Sequence, residues 1–414
     1  MSVLSFPRVQ FKLRWMKSKQ KKSFNKIPLL LAMLIIATGQ VGVSIYLPAL
    51  PHISQALNAT QADVQLLVTL YLLGFGGSQL FYGPLSDAIG RRPVFILGQG
   101  IYLLGTLCCL VFIDNLYLLA FSRLLQGLGA GSASVLGRSV LRDSYDGEHL
   151  TKAFSYISVT ASILPILAPV AGGWITYEFG WQAVFMFVFV YLTSIFTIGL
   201  FILPETLPYA VNRFNLLEVM RNYRRLLGNR QVISSASYNW LSYLASLVSL
   251  SVLPFLVQKG LGLSAAQYGS VMIIPSAGLM TGSILLNVLS RYMSRQQLLG
   301  LVIMLMAMSG CWLLSSEMTL FNLVWAFTWL SVAQGISFPI SISMLLEPHK
   351  KQAGAVSALS GSIQMGISGL FGGYLVQNWI QSQNALGMFY LVIAFVMASV
   401  LFSSKATRYV EQQA

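Results

Sequence analysis

The chain consists of long apolar segments separated by short polar breaks. Segments of about 20 continuously apolar residues, enough for a helix to cross a hydrocarbon core of roughly 30 Å, recur along its whole length. Membrane β-strands would instead show about ten alternating residues, whereas helices satisfy every backbone group internally. The pattern predicts an all-α membrane protein with twelve transmembrane helices at 28–50, 64–86, 93–113, 116–140, 150–177, 182–203, 232–257, 267–290, 297–315, 320–347, 352–377 and 384–404.

Composition supports this fold class. Of the 414 residues, 56% are hydrophobic and only 9% are charged, whereas soluble domains contain roughly 25% charged residues. The mean hydropathy is +0.70. These values exclude an ordinary soluble domain.

The positions of the Lys and Arg residues indicate how the chain is oriented in the membrane. The chain carries a net charge of +14, and 24 of its 26 Lys and Arg residues fall on alternate connections and on both tails. The opposite loops hold only Lys259, and Arg123 lies inside a segment. The positive-inside rule therefore predicts that both termini and the loop 204–231 are cytoplasmic. Membrane topology and attraction to anionic lipid explain the excess of Lys and Arg over Asp and Glu. We therefore expect no nucleic-acid partner.

The longest polar stretch divides the chain into two similar halves. Residues 153–174 and 353–374 align without a gap, and both end in a glycine pair, Gly172-Gly173 and Gly372-Gly373. An internal duplication places a substrate path between the halves. The predicted organisation is a basic tail 1–27, a six-helix half 28–203, a linker 204–231, a second six-helix half 232–404 and a tail 405–414.

The start of the chain allows two interpretations. Met16 is followed by Lys17-Ser18-Lys19-Gln20-Lys21-Lys22, which resembles a natural start. Residues 1–15 are then either part of a basic tail lying on the membrane surface or a dispensable extension.

Three motifs concentrate the charged residues, glycines and prolines that suggest moving parts. The first occupies a short loop between two apolar segments, where glycines permit close helix approach. It consists of Gly83-x-Leu85-x-Asp87-x-x-Gly90-Arg91-Arg92. The second is Arg123-x-x-Gln126-Gly127, and the third is Pro165-x-x-x-Pro169-x-x-Gly172-Gly173.

These motifs, in this order and in a chain of this length, resemble the major facilitator superfamily. Within it, they resemble the twelve-span drug:proton antiporters of the Bcr/CflA group. The resemblance implies the major facilitator fold, with two six-helix halves related by pseudo-symmetry. It also implies a multidrug efflux transporter that exports amphipathic drugs or toxic compounds in exchange for protons by alternating access. The proton gradient across a bacterial cytoplasmic (inner) membrane would be its energy source, with no cofactor.

The resemblance also implies roles for the motifs. Gly83, Leu85, Asp87, Gly90, Arg91 and Arg92 would form a cytoplasmic gate, with Asp87 latched at the positive N-terminal end of the eleventh helix. The alternative is that Arg91 and Arg92 are ordinary cytoplasmic arginines that follow the positive-inside rule, and that Asp87 caps a helix. Pro165, Pro169, Gly172 and Gly173 would form the antiporter motif, in which the fifth helix approaches the other half. Ala168 replaces the usual glycine before Pro169, which weakens the support for export.

Arg123 would be the coupling residue, together with Gln126 and Gly127. Burying an arginine in a membrane costs roughly 2.5 kcal/mol or more unless it snorkels or finds partners. The resemblance implies that its charge faces the cavity and influences a protonated group; a snorkelling structural arginine is the alternative. Gln126, about one turn along the helix, is predicted to offer hydrogen bonds on the same face.

Acidic residues are missing where a proton carrier is expected. None of the 12 Asp and Glu residues is central in a segment, and Ser44 stands where many relatives carry an aspartate. The remaining candidates are Asp63, His52, Glu347 and Asp87. A cavity without carboxylates should prefer apolar or anionic compounds to strongly cationic ones.

Aromatic and thioether side chains are the candidate cavity walls, because they adapt to varied apolar ligands. Lipid-facing or core packing is the alternative for each of them. With one amide added, the candidates are Gln40, Tyr46, Tyr71, Phe75, Trp240, Tyr243, Met272, Trp325, Trp329 and Met365.

Two other functions compete with drug export. One is a dedicated carrier for a single metabolite such as a sugar, an amino acid derivative or a siderophore. The other is a membrane enzyme or receptor, which is disfavoured because the sequence shows no catalytic cluster, nucleotide-binding loop or metal-ligand spacing. We therefore expect a transporter that works as a monomer on small amphipathic molecules and protons.

Overall fold

Twelve long helical segments form the molecule in the computed structural model, which describes residues 26–207 and 215–403. They are α1 Lys26–Ala56, α2 Gln61–Ile89, α3 Arg91–Val111, α4 Leu116–Ser144, α5 Gly147–Phe179, α6 Gln182–Ile202, α7 Arg230–Gly260, α8 Ala265–Leu289, α9 Arg295–Ser315, α10 Leu320–His349, α11 at 353–378 and α12 Gln383–Ser403. No strand occurs in the described ranges. The predicted fold class is confirmed.

Nine of these segments are long and apolar enough to cross a membrane, and the other three, α4, α5 and α11, are of comparable length and pack among them. The chain is thus a multi-pass membrane protein. We call the end of the bundle that carries Gly90, between α2 and α3, the inner end. The end that carries residues 57–60, between α1 and α2, is the outer end.

Several helices extend past their apolar segments because polar residues cap them. Thr60 and Asp63 form a reciprocal capping box that starts α2 at Gln61, three residues before the predicted start. Ser264 with Gln267 and Ser294 with Gln297 do the same at α8 and α9. Local breaks are a turn after Ser44 in α1 and π-helical stretches at Leu256–Gly260 and Ile367–Gly372.

The two halves repeat the same helix contacts. In the first half α2 packs on α4, α1 on α4, and α3 on α6; in the second half α8 packs on α10, α7 on α10, and α9 on α12. Between the halves, α2 lies against α11 and α5 against α8. This is the pseudo-symmetric arrangement that the sequence predicts.

Glycines at one helix crossing show the repeat at atomic level. A Cβ on Gly127 of α4 would lie 2.0 Å from the carbonyl oxygen of Tyr71 in α2. A Cβ on Gly335 of α10 would lie 2.2 Å from that of Leu279 in α8. Gly335 follows Gly127, and Leu279 follows Tyr71, by the same 208 positions (335 less 127, 279 less 71). Only glycine allows backbones to approach this closely, so the two crossings are equivalent.

A short amphipathic helix, Leu216–Leu227, lies in the linker between the halves. Its buried residues are Tyr223 and Leu226, and the Tyr223 hydroxyl donates a hydrogen bond to the Leu80 carbonyl of α2 at 3.0 Å. We call this element the linker helix.

Candidate transport site

Arg123 is the centre of a buried polar cluster in the first half. Its side chain is 1% exposed, although it carries a charge. The guanidinium carbon lies 3.6 Å from the ring centre of Tyr46 in α1 and 4.1 Å from that of Tyr71 in α2. Arg123 is therefore held between two aromatic faces, each of which attracts a desolvated cation by about 2 kcal/mol.

Hydrogen bonds complete the surroundings of this guanidinium. Arg123 donates to the carbonyl oxygen of Gly42 at 3.0 Å, to that of Leu67 at 3.4 Å, and to the side-chain oxygen of Gln126. Gln126 in turn donates to Thr106 of α3 at 2.7 Å. No carboxylate among the described residues forms an ion pair with Arg123. The charge is stabilised by oxygen dipoles and ring faces, and it joins α1, α2, α3 and α4.

The structure therefore differs from the expected cavity-facing charge. Arg123 lies inside the helix bundle of one half, and it does not snorkel to a surface. Gln126 is on the predicted face, and Gly127 provides the close crossing at which Arg123 reaches α2. The role of these residues in coupling stays a prediction.

The gating motif forms a second polar cluster at the inner end. Arg91, 2% exposed, donates to Asp87 at 2.6 Å, to Asp143 of α4 at 2.8 Å and to Ser86 at 2.7 Å. Arg142 lies 3.9 Å from Asp87. All these partners belong to the first half, so the latch between Asp87 and the eleventh helix stays a prediction.

Glu205, just after α6, joins the same cluster. Its carboxylate accepts hydrogen bonds from the backbone N–H groups of Arg91 at 2.9 Å and Arg92 at 3.2 Å. Gly90 has φ +103°, and a Cβ there would lie 2.4 Å from a Glu205 oxygen. Glycine is thus required both for the backbone conformation and for space. Within the same motif, Gly83 lies against Val135 of α4 and Leu85 packs on an apolar cluster.

Glu205 gives the inner end a predicted acid sensitivity. Burial disfavours its charged form, but hydrogen bonds from Leu207, Arg91 and Arg92 outweigh burial and, with the charge of Arg91, lower its pKa below the usual 4.5. Because the folded-state pKa is depressed, this stabilisation is present above pH 4.5 and is lost as pH falls through the lowered pKa. We expect Glu205→Gln to lower the unfolding temperature of the detergent-solubilised protein at pH 7. Between pH 7 and pH 3, the unfolding temperature of this variant should fall by less than that of the wild type. An equal fall of the unfolding temperature with pH in both proteins would contradict this assignment.

A similar ion pair lies at the inner end of the second half. Arg295 at the start of α9 is 3.1 Å from Glu347 at the end of α10. Like Arg91 with Asp143, it joins the third and fourth helices of its half, although Glu347 aligns with Ser139 in the 208-position register of α4 and α10. The sequence analysis names Glu347 only as a proton-carrier candidate, because its partner Arg295 comes from another helix.

The antiporter motif lies where the halves meet at the outer end. A Cβ on Gly172 would lie 1.6 Å from the carbonyl oxygen of Ile45 in α1, and one on Gly173 would lie 2.3 Å from that of Ala265 in α8. The Pro169 carbonyl approaches Gly269 of α8 in the same way. The expected approach of the fifth helix to the other half is therefore present, and Pro165 lies within the same continuous helix.

Two hydrogen bonds between α1 and α7 reinforce this outer contact. The Gln258 side chain donates to the Pro48 carbonyl at 2.8 Å, and the Lys259 ammonium donates to the Ser54 hydroxyl at 3.0 Å. The halves are in direct contact at the outer end.

The candidate cavity residues are distributed over different environments. Six are buried within helix interfaces, which is the core-packing alternative: Tyr46, Tyr71, Phe75, Trp240, Met272 and Met365. Trp240 donates to Ser360 of α11, and Met365 packs at the α2–α11 contact. Trp325 is 38% exposed and packs on Trp329. Gln40, Tyr243 and Trp329 are partly exposed.

The fold and the two clusters define a helical membrane transporter built from two equivalent halves. The profile of the Major Facilitator Superfamily matches residues 32–373, and the chain belongs to this family.

Two proteins similar to this chain are named for multidrug resistance. Multidrug resistance protein D of Escherichia coli (strain K12) is 29% identical over 375 residues, which cover 89% of this chain and 93% of that protein. Multidrug resistance protein MdtL of Escherichia fergusonii is 28% identical over 363 residues, covering 87% and 90%.

Solved structures share the fold at lower identity. A bacterial homologue of the human lysosomal transporter Spinster, solved in an inward-facing and unoccupied conformation, gives a TM-score of 0.71 at 15% identity and covers 94% of this chain and 98% of that one. A D-xylose-proton symporter gives a TM-score of 0.68 at 15% identity, covering 91% and 97%.

Proposed function

We propose that this chain is a secondary active efflux transporter of a bacterial cytoplasmic membrane. It exports small amphipathic drugs or toxic compounds in exchange for protons, and it works as a monomer with both termini in the cytoplasm. The kinship with proteins named for multidrug resistance supports the substrate class. The predicted topology identifies the inner end of the bundle as cytoplasmic.

The main support for this proposal is the contact between the two halves at the outer end. Gly173 brings α5 of the first half against α8 of the second, while separate ion-pair clusters hold each half together at the inner end. A close backbone contact between two internally braced halves is suited to rigid-body rocking, the motion that alternating access requires.

Export in cells tests the proposal. In a bacterial strain lacking its major efflux pumps, we expect the chain to raise tolerance to several amphipathic drugs and to lower dye accumulation. A proton uncoupler should abolish both effects, because the gradient drives the exchange. The control is the empty vector, with expression checked in the membrane fraction. Unchanged tolerance and accumulation across a broad panel would instead favour a dedicated carrier.

A further inference from the structure

Arg138 of α4 is a charged residue that neither motif cluster uses. It is exposed, yet it lies about 9 Å inside the inner end of α4, given a rise of 1.5 Å per residue from Ser144. No described residue forms an ion pair or a hydrogen bond with it. Arg91 and Arg142, the neighbouring arginines, both contact carboxylates.

The contacts of its neighbours show which way Arg138 points. Val135 and Arg142 face α2, where they approach Gly83 and Asp87. Gly137 faces α1, since a Cβ there would lie 2.4 Å from Ile36. Successive residues of a helix turn by about 100°, which places Arg138 in the arc between these two directions.

That arc opens toward the other half of the molecule. The opposite side of α4 is covered by α3, where a Cβ on Gly98 would meet Ser132 at 2.3 Å. In turn, α2 packs on α11 of the second half. Ser134, one turn before Arg138, and Met33 of α1 are partly exposed. The exposed surface of Arg138 therefore belongs to the space between the halves and is not a lipid-facing side of α4.

Among the described residues, none across this space pairs with the charge of Arg138. The equivalent position in the second half, 208 residues later, is the apolar Leu346. An unpaired guanidinium in a cleft with low-dielectric walls attracts anions and repels cations. Its planar fork also matches carboxylate, sulfonate or phosphate oxygens with two parallel hydrogen bonds.

We propose that Arg138 binds the anionic group of the transported compound, so that preferred substrates carry a carboxylate, sulfonate or phosphate on an apolar body. This inference rests on the proposed function and specifies its substrate class. The same chemistry would also fit the phosphate of an anionic lipid, which the test must separate.

A matched pair of fluorescent probes tests the proposal at equilibrium. Anilinonaphthalene sulfonate and phenylnaphthylamine share an apolar body and differ in the sulfonate. With the purified full-length protein in phosphatidylcholine nanodiscs, we expect Arg138→Gln to weaken sulfonate binding by about tenfold or more and to change phenylnaphthylamine binding by less than about twofold. Arg138→Lys should restore part of the loss. Arg221→Gln removes an exposed charge on the linker helix and should change neither.

Two results would overturn the proposal. One is an equal effect of Arg138→Gln on both probes, or no effect on either. The other is competition by a lipid: if phosphatidylglycerol in the nanodiscs displaces the sulfonate only when Arg138 is present, the site holds a lipid headgroup. Because binding needs no gradient, the sulfonate preference can hold even if proton-driven export is absent, and the two failures are distinguishable.

Discussion

Replacing Arg123 with alanine should abolish energised export while substrate binding remains measurable. The substitution leaves Gln126 and the Gly42 carbonyl without their partner and opens a gap between the rings of Tyr46 and Tyr71. We expect the free energy of unfolding to fall by about 3 kcal/mol, as for other large-to-small changes in a packed interior. Transport into vesicles under an imposed pH gradient and denaturant unfolding measure the two effects.

Two variants separate the geometry of Arg123 from its charge. Arg123→Lys keeps the charge but cannot fill the space between two rings or donate in a planar fork, so it should also fail to transport. Tyr46→Phe keeps the aromatic face and should transport close to the wild-type rate. Uncoupler-sensitive export by Arg123→Ala would defeat the assignment.

Introducing valine at Gly173 should open the outer contact and stop transport. Its Cβ would lie 2.3 Å from the Ala265 carbonyl oxygen, a backbone atom that cannot rotate away, so α5 must separate from α8 of the other half. We expect faster labelling of Ser54→Cys by a membrane-impermeant maleimide, in a protein whose native cysteines are replaced by alanine. Ser54 is 2% exposed beside Lys259 at this contact.

The matched control is Gly77→Val in α2, where an added Cβ meets nothing within 4 Å. It introduces the same side chain into a helix without disturbing an interface, so labelling and transport should stay near wild type. If Gly173→Val transports normally, or if both variants label alike, the outer contact does not control access.

The sequence predicted the helices because twelve continuous apolar segments leave few alternatives in a membrane. It also predicted, through the resemblance of the antiporter motif, that α5 approaches the other half. The helix ends were less accurate: capping by Thr60 and Asp63 depends on side-chain geometry beyond the apolar window.

The environment of Arg123 could not be predicted from the sequence. Its partners, the carbonyl groups of Gly42 and Leu67, are backbone atoms that leave no signal in residue identity. Glu205 and Asp143 were missed for a related reason, because they lie far along the chain from the gating motif: Asp143 is in α4 and Glu205 follows α6. The same limit applies to Tyr46 and Tyr71, whose aromatic character indicated a cavity wall as readily as a cation-binding pair.

The matching ion pairs at the inner end have a consequence for the energetics of rocking. Arg91 with Asp143, and Arg295 with Glu347, each join two helices of one half. If the halves move as rigid bodies, these attractions are equal in every state and cancel from the conformational equilibrium. That equilibrium is then governed by the apolar contacts and the few hydrogen bonds between the halves. Small differential affinities of a bound compound are therefore enough to bias it.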